Sequence, residues 1–143
     1  MKKQIIALLL LASMFGTHIA LADPVAVIVN SANIQNLSLG DVKSIYADRT
    51  ITWASGGKIA VYNLPTEDAA AEIFARQVLG MSASDAAAAE SNRVVSNVAR
   101  NPQQIKRDAL VSSIVAKTPH AIGYVPKAQA DGKSGIRVLF VLE

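Results

Sequence analysis

The sequence predicts an α/β domain in which a central sheet is flanked by helices. Short apolar runs rich in β-branched residues, such as 25–29, alternate with longer segments whose apolar residues recur at helical spacing. Polar, turn-forming clusters separate each predicted strand from the helix that follows it. Such an alternation is typical of an α/β layer, because the helices cover the faces of the sheet.

The first strand–helix unit combines the run 25–29 with a helix over 39–47. A loop-forming cluster at 30–33 ends the strand. Ser38 is the predicted N-cap of the helix, because a serine hydroxyl accepts a hydrogen bond from the first turn. The apolar residues of this helix share one face, which we expect to pack on the sheet.

The second unit combines a strand over 59–62 with a helix that ends at Gly80. Thr66 is the predicted N-cap of this helix. Glu67 and Asp68 fall at its start, where the helix dipole favours negative charge. Capping therefore explains the acidic pair better than acid–base chemistry does.

The second half of the chain predicts two more helices and two more strands. The alanine-rich segment 82–100 favours a helix, and its alanines are typical of filler or of a close-packed face. Pro102 suits the first turn of a further helix, which Lys-Thr-Pro at 117–119 ends. Strands are predicted over 121–125 and 136–142.

The first 22 residues predict a signal peptide. Lys2 and Lys3 precede an apolar run of about 11 residues, and Ala20-Leu21-Ala22 supplies the small-x-small pattern of a cleavage site. The alternative is a membrane anchor, but a helix needs about 20 apolar residues to span a bilayer. We therefore expect a periplasmic protein with one domain over 23–143 and no membrane span after cleavage.

The charge and composition of the chain argue against nucleic-acid binding. Loss of Lys2 and Lys3 with the leader would leave 12 basic residues against 11 acidic ones, so the net charge falls from +3 to +1. Without a basic block or a row of aromatic side chains, the chain lacks the charge pattern and the stacking platform of a nucleic-acid-binding protein. Disulfides and thiol chemistry are excluded because the chain has no cysteine.

Residues that typically carry catalysis are scarce. His120 is the only histidine after residue 22, and neither a G-x-S-x-G nor an H-E-x-x-H motif occurs. A zinc site would need several carboxylates beside that histidine, and the sequence shows no such cluster. We therefore expect no enzyme activity, no catalytic residue, no metal site and no cofactor.

Several spaced motifs resemble one family. "VAVIVNSANIQNLSLGDVKSIYADRTITWASGGKIAVYNLP" is followed by "F-x-x-x-VLGMS" and later by "TPHAIGYV". In this order the motifs resemble the small substrate-binding-like proteins of phosphate ABC transporters, in the type II periplasmic binding protein superfamily. The resemblance implies a single periplasmic-binding-protein-like lobe, equivalent to half of a two-lobed protein that closes over its ligand.

The resemblance also implies a periplasmic solute-binding module for a small solute or an oxyanion. Since the chain has about one lobe's length, a second copy or another periplasmic protein would complete the cleft. The alternative is a non-transport interaction module that has kept the lobe and lost ligand binding. Trp53 is interpreted as a core residue and Gly123 as a site of close backbone approach, and the role of Arg49 stays open.

The usual phosphate motif is degenerate in this chain. The resemblance implies a basic residue after the second strand and a Ser-Gly-Thr cluster at the start of the next helix. The positions that match this cluster, counted back from Phe74, are Ala69-Ala70-Ala71, followed by Glu72. None of them carries a hydroxyl group, and nearby carboxylates repel a dianion by about 1 kcal/mol per close pair in water. We expect no tight phosphate binding there, and a weak anion contact at Thr66 or a neutral or cationic ligand are the alternatives.

Polar side chains follow both of the first two predicted strands. In open α/β sheets a ligand usually binds outside the carboxyl ends of the strands. We therefore expect the two loops to meet at one edge of the sheet and to form the ligand site. The predicted ligand-binding residues are Asn30, Ser31, Asn33, Asn63, Thr66, Glu67 and Asp68.

Overall fold

The computed structural model describes residues 23–143, so the predicted signal peptide lies outside the described residues. Five strands form one mixed sheet: β1 (Val25–Asn30), β2 (Ala60–Asn63), β3 (Gln104–Ile105), β4 (Ala121–Pro126) and β5 (Ile136–Leu142). The helices are α1 (Leu39–Tyr46), α2 (Ala69–Phe74), α3 (Ala83–Val95), α4 (Asp108–Lys117) and α5 (Lys127–Ala130). A π-helical segment, Ala75–Leu79, continues α2. The predicted α/β class, a central sheet flanked by helices, is confirmed.

The strand order across the sheet is β3-β2-β4-β1-β5. β2 runs parallel to β3 and β4, whereas β1 runs antiparallel to β4 and β5. All six residues of β1 are buried, because this strand has a neighbour on each side and is covered on both faces. A strand in that position reads as a continuous apolar run without alternation, as the sequence at 25–29 does.

An aromatic cluster joins α1, α2 and β4 in the core. The ring of Phe74 stacks on that of Tyr124 with centroids 3.9 Å apart, and it meets the ring of Tyr46 edge-on at 4.7 Å. The hydroxyl of Tyr46 donates a hydrogen bond to the backbone oxygen of Tyr62 at 2.7 Å, so its burial leaves no unsatisfied hydroxyl. The cluster fixes both helices on one face of the sheet.

The N-termini of the first two helices confirm one predicted cap and correct another. Ser38 caps α1 in a capping box with Asp41. The cap of α2 is Asp68, whose Oδ1 accepts a hydrogen bond at 2.9 Å from the backbone N–H two residues further on. The prediction of Thr66 is wrong because the chain first makes a turn, closed by the N–H of Asp68 and the oxygen of Pro65 at 3.0 Å, which delays the start of the helix.

The segment after α3 departs from the helical prediction. α3 ends at Val95, short of its predicted end. The helix predicted from Pro102 is present as α4 and ends at Lys117 as predicted, but it begins only at Asp108, and the short strand β3 takes the place of its predicted first turns. The carboxylate of Asp48 accepts hydrogen bonds from the N–H groups of Arg100 and Asn101 at 2.6 and 2.8 Å. These tertiary contacts hold the chain extended, so that it pairs with β2 and overrides the local preference of proline.

Two single-residue interpretations from the sequence are confirmed. Trp53 is a core residue, 5% exposed, and its Nε1 donates a hydrogen bond to the backbone oxygen of His120 at 3.0 Å. A Cβ atom at Gly123 would lie 2.6 Å from Cγ1 of Val111, so β4 and α4 can approach closely only without a side chain there.

Candidate functional site

The two polar loops predicted to share one edge lie at opposite edges of the sheet, beyond opposite ends of its strands. β1 runs antiparallel to β4, with Val29 opposite Ile122, whereas β2 runs parallel to β4, with Val61 opposite the same Ile122. The carboxyl end of β1 therefore points the opposite way to that of β2. The expectation that residues 30–33 and 63–68 meet is wrong, because it requires the two strands to run in the same direction.

Asn30 fastens α4 to the sheet. Its Nδ2 donates hydrogen bonds to the backbone oxygens of Val115 and Ala116 at 2.8 and 3.2 Å, in the last turn of that helix. Its Oδ1 accepts a hydrogen bond from the N–H of Ala32 at 2.9 Å. The side chain is buried, and backbone groups of the protein form hydrogen bonds with both its nitrogen and its oxygen.

The rest of this loop is also tied to the protein. Asn33 is buried, and its Oδ1 accepts a hydrogen bond from the N–H of Gln35 at 3.0 Å, while its backbone oxygen accepts one from Nε of Arg137 at 2.8 Å. Ser31 is exposed, and its N–H donates to the backbone oxygen of Gly135 at 2.9 Å. Only the Ser31 side chain, among the three predicted ligand residues here, faces solvent.

Asn63 connects three segments at the carboxyl end of β2. Its Oδ1 accepts hydrogen bonds from the hydroxyl of Tyr124 and, at 2.8 Å, from the N–H of Leu64. Its Nδ2 donates to Oε1 of Gln103 at 2.7 Å. Burial raises the pKa of Tyr124 far above its ordinary value of 10.0, so the phenol stays protonated and serves as the donor.

The turn before α2 carries the remaining predicted ligand residues. Thr66 and Glu67 are exposed, and the Thr66 hydroxyl donates a hydrogen bond to Oε2 of Glu67 at 3.4 Å. Asp68 occupies the helix end as its cap. The structure thus brings Asn63, Thr66, Glu67 and Asp68 to one edge and separates them from Asn30, Ser31 and Asn33.

A largely apolar cavity of about 220 Å³ lies between α3 and the body of the lobe, next to Asn63. Small side chains of α3 form one wall, and larger apolar side chains of the body form the other. The lining includes Ala83, Ala86, Ala87, Phe74, Leu79 and Tyr124. Because α3 buries only Ala83, its alanines leave space that larger side chains would fill.

A second cavity of about 230 Å³ adjoins the first beneath the same helix. The two cavities share four lining residues, namely Asn63, Leu79, Ala86 and Gln103. Three basic residues line the second cavity and no acidic residue does: Lys43, Arg49 and Arg93. The apolar and the positively charged surfaces under α3 are therefore separate but adjacent.

A polar network holds the second half of α3 on the body. The carboxylate of Glu90 accepts a hydrogen bond from the N–H of Gln103 at 2.8 Å and pairs with Arg93 at 2.8 Å. Nε2 of Gln103 donates to the backbone oxygen of Tyr46 at 2.8 Å. Within residues 23–143 the Nε atom of Arg93 is buried without a hydrogen-bond partner, so this side chain keeps an unused donor beside the second cavity.

Apart from Asn63 and Thr66, the residues that line these cavities are absent from the predicted site. The alanine-rich segment predicts filler or a close-packed face, whereas the structure places its small residues over open space. One signal was present in the sequence: positions 83, 86, 87 and 90 follow helical spacing and form one stripe. The stripe identifies a face of α3, but the cavity beneath it depends on side chains that are distant in sequence.

Neither a metal cluster nor a membrane-spanning helix is found in the part of the chain that the structure describes. Across residues 23–143, no three His, Cys, Asp or Glu side chains are grouped to hold a metal ion. His120 is exposed, and a Cβ atom added at Gly57 would lie 2.7 Å from its ring. No helix in the same range has the length and apolar character required to cross a membrane.

Three solved structures share the fold. A possible phosphate-binding protein from Planctomyces limnophilus is 17% identical, with a TM-score of 0.61 over 82% of this chain and 40% of its own. An ABC-type phosphate transport receptor from Vibrio cholerae is 16% identical, with a TM-score of 0.52 over 82% of this chain and 45% of its own. A candidate phosphate ABC transporter substrate-binding protein from Clostridium perfringens, solved with bound phosphate, is 18% identical, with a TM-score of 0.58 over 82% of this chain and 44% of its own.

No protein-family model matches the chain, and no curated protein sequence matches it either. The chain spans less than half the length of the three structures, which agrees with one lobe of a larger fold. At these identities the likeness establishes the fold alone. The described residues have the fold of a single phosphate-binding-protein-like lobe, as the sequence motifs predict.

Proposed function

We propose that this protein is an exported, non-enzymatic solute-binding module of the phosphate-transporter type that lacks the usual phosphate contacts. Its ligand binds where β2 and β4 end, next to Asn63 and the turn over 63–68. This edge is the place where open α/β sheets bind ligands. The fold shared with phosphate-binding proteins supports the general class of the proposal.

The observation that carries the proposal is the apolar cavity beside Asn63. Ligand sites are typically concave, mostly apolar and equipped with a few polar groups that orient the ligand. The cavity of about 220 Å³ fits this description, since Asn63, Thr66 and Gln103 lie among its apolar lining residues. Of the predicted ligand-binding residues, Asn63 and Thr66 line this cavity.

The chemistry at the start of α2 supports the absence of tight phosphate binding. Ala70 and Ala71, at positions where relatives resemble one another in Gly and Thr, are buried and offer no hydroxyl group. The carboxylate of Asp68 accepts a hydrogen bond from an N–H group at this helix end, and Glu67 adds negative charge nearby. A phosphate dianion would meet two carboxylates there and no basic side chain from the turn.

Export and a second surface belong to the same proposal. The leader-like sequence over 1–22 supports secretion to the periplasm. A half-site open to solvent contacts a ligand on one side, so a second copy or another periplasmic protein would complete the cleft. The module itself forms one side of the site.

An interaction module that no longer binds a solute is the second candidate. The observation that favours it is the exposure of apolar side chains at the C-terminal end of α3 and just beyond it, where Val95 is 82% and Val98 is 61% exposed. Exposed apolar patches often mark interaction surfaces. This candidate keeps the fold and the export but needs no ligand.

A thermal-shift screen separates the two candidates. The screen contains phosphate, sulfate, small amines and small organic acids, because a ligand at 100 times its dissociation constant adds about 2.7 kcal/mol of stability. If the protein is a solute-binding module, at least one solute other than phosphate should stabilise it and should change the NMR shifts of the amides next to Asn63. If no solute stabilises the protein, the interaction module replaces the proposed function.

A further inference from the structure

Two adjoining cavities lie under α3, one largely apolar and one lined by basic residues. We call them together the α3 cleft, define it by the residues that line either cavity, and refer to the two cavities as its apolar half and its basic half. The four residues that both cavities share lie between the halves. A ligand that occupies both halves therefore needs an apolar body and a charged end.

The apolar half has the size of a small organic group. A cavity of about 150 Å³ in another protein holds benzene, so about 220 Å³ leaves room for an aromatic ring with a short chain. Val94 and Ile105 line this half and are 48% and 59% exposed. An apolar ligand would cover both side chains and remove their surface from water, which favours binding.

The basic half has cations that the protein leaves available. Among residues 23–143, the side chains of Lys43 and Arg49 form no ion pair, and Arg93 has an unpartnered Nε. The one carboxylate that lines the cleft belongs to Glu90, which already pairs with Arg93 and accepts a hydrogen bond from Gln103. Lys43 and Arg49 thus remain as an unneutralised pair of positive charges at this end.

We propose that the α3 cleft binds a small organic anion that has an aromatic or aliphatic body, such as an aryl-alkyl carboxylate. The body lies against the alanines of α3, and the anionic group lies between Lys43 and Arg49. This inference rests on the proposed solute-binding function and names the ligand class. Free phosphate and sulfate bind poorly in this cleft because they have no apolar body to fill the first half.

Isothermal titration calorimetry with 4-phenylbutyrate, its neutral amide and sulfate tests the ligand class. We expect the acid to bind more tightly than the amide, and sulfate to give no measurable heat. Arg49→Gln should weaken binding of the acid about fivefold, the factor that one close charge pair in water contributes, and leave the amide unchanged. Lys58→Gln, an exposed lysine outside both cavities, is the matched control and should change neither affinity.

A pair of alanine substitutions on α3 tests the location. Ala87→Leu puts a larger side chain into the first cavity and should abolish binding of both the acid and the amide without lowering the melting temperature. Ala88→Leu, at the next and exposed position, lines neither cavity and should leave binding intact. Equal affinity for acid and amide, or unchanged binding in Ala87→Leu, would overturn the inference.

The outcomes also distinguish this inference from the proposed function. If another solute stabilises the protein and shifts amides next to Asn63 while 4-phenylbutyrate gives no heat, the ligand class is wrong and the solute-binding function stands. If neither that probe nor any solute in the screen binds, both are wrong.

Discussion

Oδ1 of Asp68 accepts a hydrogen bond from the backbone N–H of Ala70 at 2.9 Å, so a carboxylate of the protein itself occupies the start of α2. This helix end is where the resemblance implies phosphate contacts. A capping carboxylate satisfies a free N–H group and adds negative charge, and both effects disfavour an incoming anion. The same residue that stabilises the helix therefore disfavours an anion at this helix end.

Substitution of the two candidate caps distinguishes their roles. Asp68→Ala removes the hydrogen bond to Ala70 and should lower the free energy of unfolding by about 1 kcal/mol. Thr66→Ala removes only a contact with the exposed Glu67 and should change stability by less than about 0.5 kcal/mol. Urea unfolding measures both variants, and a larger loss in Thr66→Ala would restore Thr66 as the cap.

Asn30→Ala should destabilise the protein without a direct effect on any ligand. The substitution leaves the buried backbone oxygen of Val115 and the partly buried one of Ala116 without their amide donor, which should cost about 1 to 3 kcal/mol. Ser31→Ala is the matched control, because the neighbouring side chain is exposed and should matter by less than about 0.5 kcal/mol. Equal stability of the two variants in urea unfolding would contradict the anchoring role.

The start of α3 should loosen at acidic pH. A hydrogen bond from the N–H of Ala83 and the nearby guanidinium of Arg76 hold the pKa of Glu72 below its ordinary value of 4.5. Because the folded-state pKa is lowered, the ionised carboxylate stabilises the fold above pH 4.5, and this contribution is lost as the pH falls through the lower, folded-state pKa. In an NMR titration, the chemical shift of the Ala83 amide should change over the pH range in which Glu72 becomes protonated.

Two comparisons control the pH experiment. Glu72→Gln should remove the acidic transition at the Ala83 amide, because an amide side chain does not titrate. The amide of Ser96, at the far end of α3, donates to the backbone oxygen of Asn92 at 3.0 Å and should keep its shift through the Glu72 transition. An Ala83 transition that persists in Glu72→Gln would assign it to another group.

The mature protein should begin at Asp23. The charged start, the short apolar run and the small residues at 20–22 predict cleavage after Ala22. Intact-mass spectrometry of protein recovered from the periplasm of its native host measures the N-terminus. A mature form that still begins at Met1 would refute export by a cleaved leader.

Some features of the fold leave a signal in the residue types themselves. The apolar, β-branched run of β1, the serine before α1 and the glycine within β4 are such signals, and the structure confirms the buried strand, the cap and the close approach. Pro102 shows the limit, because contacts from Asp48 to the segment before it override its helical preference. Tertiary hydrogen bonds between distant residues leave no local pattern.

The candidate site was harder to predict for the same reason. Polar residues after strands are visible in the sequence, but the relative direction of β1 and β2 is not, so Asn30 and Asn63 could not be assigned to opposite edges. The alanines of α3 gain their importance from Phe74 and Tyr124, which face them across the cavity. Side chains of such different elements meet only in the folded chain.

Rebuilding the missing motif gives a control for phosphate binding. The triple variant Ala69→Ser, Ala70→Gly, Ala71→Thr restores the hydroxyl groups and the close backbone that the resemblance implies. We expect a gain in phosphate affinity at a cost in stability, because Gly within a helix costs up to about 1 kcal/mol and Ala71 is buried. The gain should be partial, since Glu67 and Asp68 remain.

Calorimetric titration of the wild-type mature chain with inorganic phosphate tests the central claim most directly, because the lobe is proposed to bind a solute without the usual phosphate contacts. We predict a dissociation constant weaker than about 1 mM, equivalent to less than about 4 kcal/mol of binding free energy. A dissociation constant at or below about 1 μM, or about 8 kcal/mol, would contradict the account and show that other residues of this lobe bind phosphate tightly.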